Sequence, residues 1–139
     1  MDYLQQVFGG LNPQSDPDAA VKVALDVIFA DNRLNELSCL LTEGNDIGGV
    51  EGEPGWLIER RDMGPAGELP YYAGWPRNAR FHVHVEPTEF ELAYSDMFMT
   101  AGDFGSYVEK AVDAYLVENP TKVNVAQLII SQLKKSASD

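Results

Sequence analysis

Apolar residues recur every three or four positions near both ends of the chain, and this spacing predicts helices with one buried face. The N-terminal set follows a capping residue, Ser15 or Asp16, and consists of Ala20, Val23, Ala24, Val27 and Ile28. The C-terminal set consists of Phe104, Tyr107, Val108, Ala111, Val112, Tyr115 and Leu116. Two further helical segments are expected, a short one over residues 3–8 and a last one that Asn124 caps.

The middle of the chain alternates apolar and polar residues, which predicts strands with one buried face. The alternation is strict over residues 80–86 and resumes over residues 89–94, beyond a turn at Pro87. We therefore expect an antiparallel hairpin in this part of the chain. Residues 56–60 predict another strand, and residues 71–72 predict the start of one more.

Two segments between these elements are less regular. Residues 43–55 hold five glycines and four acids, which is the composition of a loop. Residues 37–41 fit a helix or a buried strand, because a short apolar run does not distinguish the two. Helices at both ends of the chain, packed on a central antiparallel meander or hairpin, predict a single α+β domain over residues 1–139.

The 139 residues include 22 Asp and Glu against 10 Lys and Arg, which gives a net charge of −12. Direct nucleic-acid binding is not expected, because it requires an excess of cations to displace counterions from phosphate. Membrane binding is not expected either, because the chain lacks both a basic face and an apolar run of ~20 residues. With one cysteine, Cys39, and no leader pattern at its start, the chain is expected to be cytoplasmic.

All of the excess negative charge falls in two stretches. Residues 34–59 and residues 81–109 each hold six acids and neither Lys nor Arg, whereas the remaining acids and bases balance. If the two stretches are neighbours in the fold, they form one acidic face that would steer a cationic partner toward it. The acids expected to bind the partner are Glu43, Asp46, Glu51, Glu53, Glu86, Glu89, Glu91, Asp96 and Asp103. Tyr72 and Trp75 are the expected apolar anchors.

No catalytic motif identifies a reaction, because the phosphate-binding glycine loops, the nucleophile elbow and the Cys-x-x-Cys pattern are all absent from the sequence. We therefore expect a non-enzymatic protein without a cofactor. The one metal-like constellation is His82, His84 and Glu86, which strand geometry places on one face and which could ligate zinc or iron. We favour an interpretation in which both histidines hydrogen-bond neighbouring carboxylates on the wetter strand face.

The short acidic chain, its α+β elements, its lack of catalytic motifs and its hairpin followed by residues 101–109 resemble the immunity proteins of bacterial polymorphic-toxin and contact-dependent growth-inhibition systems. The resemblance implies a protein that neutralises a basic toxin, such as a nuclease, by covering its active site or substrate groove. Two alternatives are a nucleic-acid mimic that regulates a DNA- or RNA-binding protein, and a small metalloenzyme that uses His82 and His84. The sequence leaves the oligomeric state open.

Overall fold

A four-stranded antiparallel sheet with helices before and after it in the chain confirms the predicted α+β fold. The computed structural model describes residues 6–53 and 55–137. The main elements in chain order are α1 (Ala19–Ala30), α2 (Leu34–Leu41), β1 (Gly49–Gly52), β2 (Trp56–Arg60), β3 (Phe81–Val85), β4 (Asp96–Met99), α3 (Ala101–Glu118) and α4 (Val123–Ala137). Short helical turns lie at Gly64–Glu68, Pro70–Tyr72, Pro87–Phe90 and Pro120–Lys122.

The sheet is a simple meander in the order β1-β2-β3-β4. Each strand pairs antiparallel with the next, in a register that places Ile58 opposite Val83 and Val83 opposite Met97. Along β2 and β3 buried residues alternate with half-buried ones. For β3 this agrees with the strict alternation in the sequence. One sheet face is therefore apolar and buried, and the other remains accessible to solvent.

The helices pack on the apolar sheet face. Helix α1 contacts β3, α2 contacts β1, and α3 contacts β4, while α4 packs on α2 and α3. The rings of Phe81 and Phe104 stack with centroids 4.3 Å apart where the sheet meets α3. Helix α1 is buried on most sides, and it includes Lys22, whose Nζ lies 3.2 Å from carboxylate oxygens of both Asp16 and Asp18. This pairing offsets the cost of burying the ammonium group.

The predicted strand over residues 89–94 is wrong, although β3 itself is confirmed. After β3 the chain forms the helical turn Pro87–Phe90, and the partner strand begins only at Asp96. Pro87 suits the first position of such a turn, and the Glu86 carboxylate accepts a hydrogen bond from the Thr88 amide, 3.3 Å away. The capped helical turn therefore forms in place of the strand that the alternating pattern predicts.

Several less regular segments also differ from expectation. Residues 37–41, left open between helix and strand, belong to helix α2, and the predicted loop over residues 43–55 contains β1. Residues 71–72 form part of a 3-10 turn and not a strand. The last helix begins at Val123, after another 3-10 turn, so Asn124 lies inside the helix and does not cap it. Of the helix expected over residues 3–8, residues 6–7 are helical and residues 3–5 lie outside the described residues.

Arg60 ends β2 on the buried sheet face, where it is only 4% exposed. Its Nε donates to Asp62 Oδ1 at 2.7 Å, and its two terminal nitrogens donate to backbone oxygens. These acceptors belong to Cys39, Leu40, Asn45 and Ile47, at 2.6–3.1 Å. One guanidinium therefore ties the end of α2 and the α2–β1 connection to the sheet.

Replacing Arg60 by methionine is expected to destabilise the fold by about 3–5 kcal/mol, because the partly buried Asp62 carboxylate and the backbone oxygens lose their donor together. Urea denaturation at neutral pH measures the free energy of unfolding. The matched control is Arg77→Met, which alters an exposed arginine and is expected to change that free energy by less than about 0.5 kcal/mol. Equal losses in the two variants would contradict the role given to Arg60.

Gly52 ends β1 at the β1–β2 hairpin, where the side chains of Arg33 and Trp56 pack closely against it. A Cβ atom at Gly52 would lie 2.8 Å from Trp56 Nε1 and 2.7 Å from Arg33 Nη1. The Arg33 guanidinium in turn sits 5.0 Å from the centroid of the Trp56 ring. Only glycine leaves this cation–π contact in place where the hairpin turns.

We expect Gly52→Ala to lower the free energy of unfolding by about 1–3 kcal/mol, the usual cost of overpacking a well-filled site. Gly102→Ala gives a control of opposite sign, because a Cβ there meets nothing within 4 Å and alanine is the better helix former by about 1 kcal/mol. Thermal unfolding of both variants beside the parent chain makes the comparison. An unchanged midpoint for Gly52→Ala would show that the hairpin tolerates the added methyl group.

Candidate functional site

The solvent-accessible face of the sheet carries a mixed set of acidic, imidazole and apolar side chains. We call it the open sheet face, and it consists of Glu51, Leu57, Glu59, His82, His84, Asp96 and Phe98. The strand register places these residues in two rows across the sheet. One row is Glu51, Leu57, His84 and Asp96, and the other is Glu59, His82 and Phe98.

His82 lies at the centre of this face, between two carboxylates. Its Nδ1 is 2.8 Å from Glu59 Oε2, and its Nε2 is 2.8 Å from Asp96 Oδ1. The Nδ1 of His84 approaches the same Asp96 oxygen at 3.0 Å. A neutral imidazole has only one N–H, so both contacts of His82 are hydrogen bonds to carboxylates only when the ring is doubly protonated and positive. This geometry agrees with the hydrogen-bonding interpretation of both histidines favoured by the sequence.

Asp96 is the carboxylate shared by the two imidazoles. Partial burial works to raise its pKa, but hydrogen bonds from His82 and then His84 outweigh burial and hold the pKa of Asp96 below its usual value. The charge of Asp96 is therefore retained into mildly acidic solution. The array joins β2, β3 and β4 through side chains as well as through the backbone.

An aromatic group from the β2–β3 connection lies over one end of the open sheet face. Trp75 packs against both His82 and Phe98, with ring centroids 5.8 and 5.3 Å apart, and Tyr72 packs against Trp75 at 5.0 Å. Tyr71 is 64% exposed, and Phe98 is 40% exposed. Exposed aromatic side chains held rigid by their neighbours are typical anchors of protein interfaces.

Tyr71 is also tied to the carboxylate array. Its hydroxyl donates a hydrogen bond to Glu59, and this bond, assisted by partial burial, raises the pKa of Tyr71 to about 12. The aromatic group and the acidic array are therefore one connected structure.

A cleft of about 540 Å³ opens where β2 begins and β3 ends. We call it the acidic cleft. Its side chains are those of Glu51, Glu53, Trp56, Leu57, His84 and Glu86, with Gly52 and Gly55 between them. Three carboxylates from both acidic stretches of the sequence thus surround one opening, and a cationic side chain is the complementary guest.

The acids singled out in the sequence lie in three places. Glu51, Glu53, Glu86 and Asp96 belong to the open sheet face or the acidic cleft, and the anchors Tyr72 and Trp75 lie over the His82 part of that face. Glu43 and Asp46 lie in the α2–β1 connection, where Glu43 accepts a hydrogen bond from the Met63 amide. Glu91 lies beyond the Pro87–Phe90 turn and Asp103 in the first turn of α3, both exposed, and the side chain of Glu89 is outside the described part.

Several residues of this surface were not anticipated, namely Leu57, Glu59, Tyr71 and Phe98. Glu59 and Leu57 occupy the outward positions of the predicted strand over residues 56–60, so the alternation contained the signal for both. Phe98 had no such signal, because the strand that carries it was not predicted. Tyr71 stood beside the anchors in the sequence, but only the fold brings it to Glu59.

The structure does not bring His82, His84 and Glu86 together as the sequence suggested. Glu86 caps the Pro87–Phe90 turn, and the carboxylate that meets both histidines is Asp96. Across residues 6–53 and 55–137, no group of three or more His, Cys, Asp or Glu side chains is arranged to hold a metal ion.

Comparison of the chain with protein-family models, with curated proteins and with solved structures finds no match in any of the three. Among the helices of the described residues, none has the length and apolar character needed to cross a bilayer.

Asp96→Asn is expected to lower the free energy of unfolding at neutral pH by less than about 1 kcal/mol, because the array is only half-buried. The lowered pKa fixes the sign of the pH dependence. Ionised Asp96 stabilises the fold above the ordinary carboxyl pKa, and this contribution is lost as the pH falls through the lowered folded pKa. Urea denaturation of both proteins from neutral pH to strong acid should therefore show their difference shrinking.

Asp113→Asn, an exposed position on α3, is the control for the loss of one negative charge. It should leave the pH dependence of the parent chain in place. A difference between parent and Asp96→Asn that grows toward acid pH would contradict the assignment.

Proposed function

We propose that this protein is a non-enzymatic binder of a basic protein, and that the open sheet face and the acidic cleft together form the binding surface. The observation that carries the proposal is the strand register. It places Glu51, Glu59 and Asp96 on one sheet face that helices in the described part leave accessible. The exposed aromatic side chains of Phe98 and Tyr71 lie in and beside the row of Glu59 and His82.

The two kinds of side chain have different roles in such an interface. Buried aromatic anchors supply most of the affinity of a protein interface. Phe98 and Trp75 are already held by each other and by His82, and Tyr71 is held by Tyr72 and Glu59. Their order lowers the entropy lost on binding. The carboxylates around them add orientation and a faster encounter with a cationic partner.

A basic toxin, such as a nuclease, is the kind of partner that fits this surface. Its substrate groove must hold phosphate groups, so it presents arginine and lysine side chains that carboxylates can engage in place of the phosphates. The protein would then act by covering the groove. The whole-chain resemblance to immunity proteins of polymorphic-toxin and contact-dependent growth-inhibition systems supports the same proposal.

The test compares two charge reversals of equal size. Asp96→Lys places a cation on the open sheet face, next to both histidines, whereas Glu109→Lys makes the same change at an exposed position on α3. Each variant is immobilised and used to capture partners from the source cells at low salt, and affinity for the captured basic protein is then measured. Asp96→Lys is expected to weaken binding by at least about 2 kcal/mol, and Glu109→Lys by much less.

The salt dependence and the identity of the partner complete the test. Association with the parent chain should slow as salt rises, because charge steering is screened. Equal losses for the two variants would show that only net charge matters, and unchanged binding by Asp96→Lys would exclude the open sheet face. A captured DNA- or RNA-binding protein that the chain displaces from nucleic acid would indicate the mimic and not a toxin inhibitor.

A further inference from the structure

A second cavity, of about 210 Å³, lies at the opposite end of the sheet from the acidic cleft, where β2 ends and β3 begins. Its lining includes Arg60, Arg61, Arg77 and Arg80, together with Glu43 and Ala101. These are four of the ten Lys and Arg in a chain of net charge −12. We call it the arginine cavity.

Two of these arginines are held directly opposite each other by the backbone. The Arg61 amide donates to the Arg80 carbonyl at 2.7 Å, which extends the β2–β3 register by one position. Like charges opposite each other on neighbouring strands are destabilising. Arg77 lies in the turn before β3. In this turn the Ala79 amide donates a hydrogen bond to the Pro76 carbonyl at 3.0 Å.

The acids nearby neutralise this group only in part. Glu43 lines the cavity, but its carboxylate accepts a hydrogen bond from the Met63 amide. Asp62 attracts Arg80 as well as Arg60. The Asp62 carboxylate accepts from Arg60 Nε at 2.7 Å and from the Gly44 amide at 3.0 Å. Glu68 lies 3.8 Å from Arg61, and its side chain is 78% exposed, so solvent screens that pair.

Donor groups also remain available. The Arg61 Nε donates to the Gly67 carbonyl, and the two terminal nitrogens of Arg80 donate to the Asp62 carbonyl and to the Met63 sulfur. All three acceptors are neutral, and each terminal nitrogen carries a second N–H. Arg77 is exposed and makes no hydrogen bond or ion pair with the rest of the described chain. Arg60, by contrast, is fully engaged by Asp62 and backbone oxygens.

We propose that the arginine cavity binds an oxyanion of the phosphate class, held by the guanidinium groups of Arg61, Arg77 and Arg80. A planar guanidinium presents paired N–H donors that match the oxygens of phosphate. Bound phosphate would offset the repulsion between Arg61 and Arg80. Arg60 acts as a positioning residue, because it fixes Asp62 and the end of β2 without contacting the anion.

The experiment titrates the full-length protein with inorganic phosphate and follows the arginine side-chain N–H signals by NMR. A saturable shift of the Arg61, Arg77 and Arg80 signals is expected. Arg77→Gln should weaken phosphate binding by about tenfold or more, the effect of losing a hydrogen bond to a charged group. Lys110→Gln, the same charge change at an exposed position on α3, should leave the affinity unchanged.

The possible results distinguish a specific phosphate site from a general attraction of anions to positive charge. No saturable shift with the parent chain, or equal weakening by Arg77→Gln and Lys110→Gln, would overturn the proposal. Arg80→Gln provides a second variant, with thermal unfolding to show that it folds. A parallel titration with a phosphate monoester then distinguishes a free ion from an esterified one, by which of the two binds more tightly. Because Asp96→Lys leaves this cavity unaltered, failure here and failure of the binding surface are distinguishable.

Discussion

The buried guanidinium of Arg60 is the constraint on which the arrangement of the sheet depends. An ion on the apolar face of a strand is tolerated only when every donor finds an acceptor, so the α2–β1 connection must wrap around it and supply backbone oxygens. That wrapping brings the Gly48 carbonyl to the Arg60 amide at 2.8 Å and so aligns β1 with β2. The same guanidinium engages Asp62, so this carboxylate is only partly available to the other arginines of the cavity. One residue thus influences both the register of the open sheet face and the charge of the arginine cavity.

The first long helix, the C-terminal helices and strand β3 were predictable because their apolar periodicity extends over enough residues to be distinctive. Helix α2 was left open between helix and strand, because its apolar run is short. Strands β1 and β4 were not predictable. Each has only four residues, and Gly49–Gly52 contains one apolar side chain, Val50, so its strand conformation comes from pairing with β2 and not from local preference. The partner of β3 was misplaced because residues 89–94 alternate as a strand does, while the capping of Pro87–Phe90 by Glu86 is a local interaction that periodicity does not report.

For the candidate site, the sequence indicated the kind of residue better than its location. Charge segregation singled out Glu51 and Asp96, and the meander places both in one row of the open sheet face although they come from different stretches. The same segregation included Glu43, which the chain carries to the other end of the sheet, against the arginine cavity. Position along a strand, rather than membership of an acidic stretch, decides which end of the sheet a carboxylate reaches.

The two ends of the β2–β3 pair therefore differ in charge over four residues of strand, a distance of about 13 Å. Carboxylates surround the acidic cleft at one end, and arginines surround the cavity at the other. Between them, His82 joins the carboxylates of Glu59 and Asp96, so the centre of the face is acidic as well. A partner that covered this face would need cationic groups opposite the cleft and the centre, and an anionic group opposite the arginines. Such an asymmetric pattern fits a partner in one orientation and opposes the reversed one, because reversal would set like charges against each other at both ends.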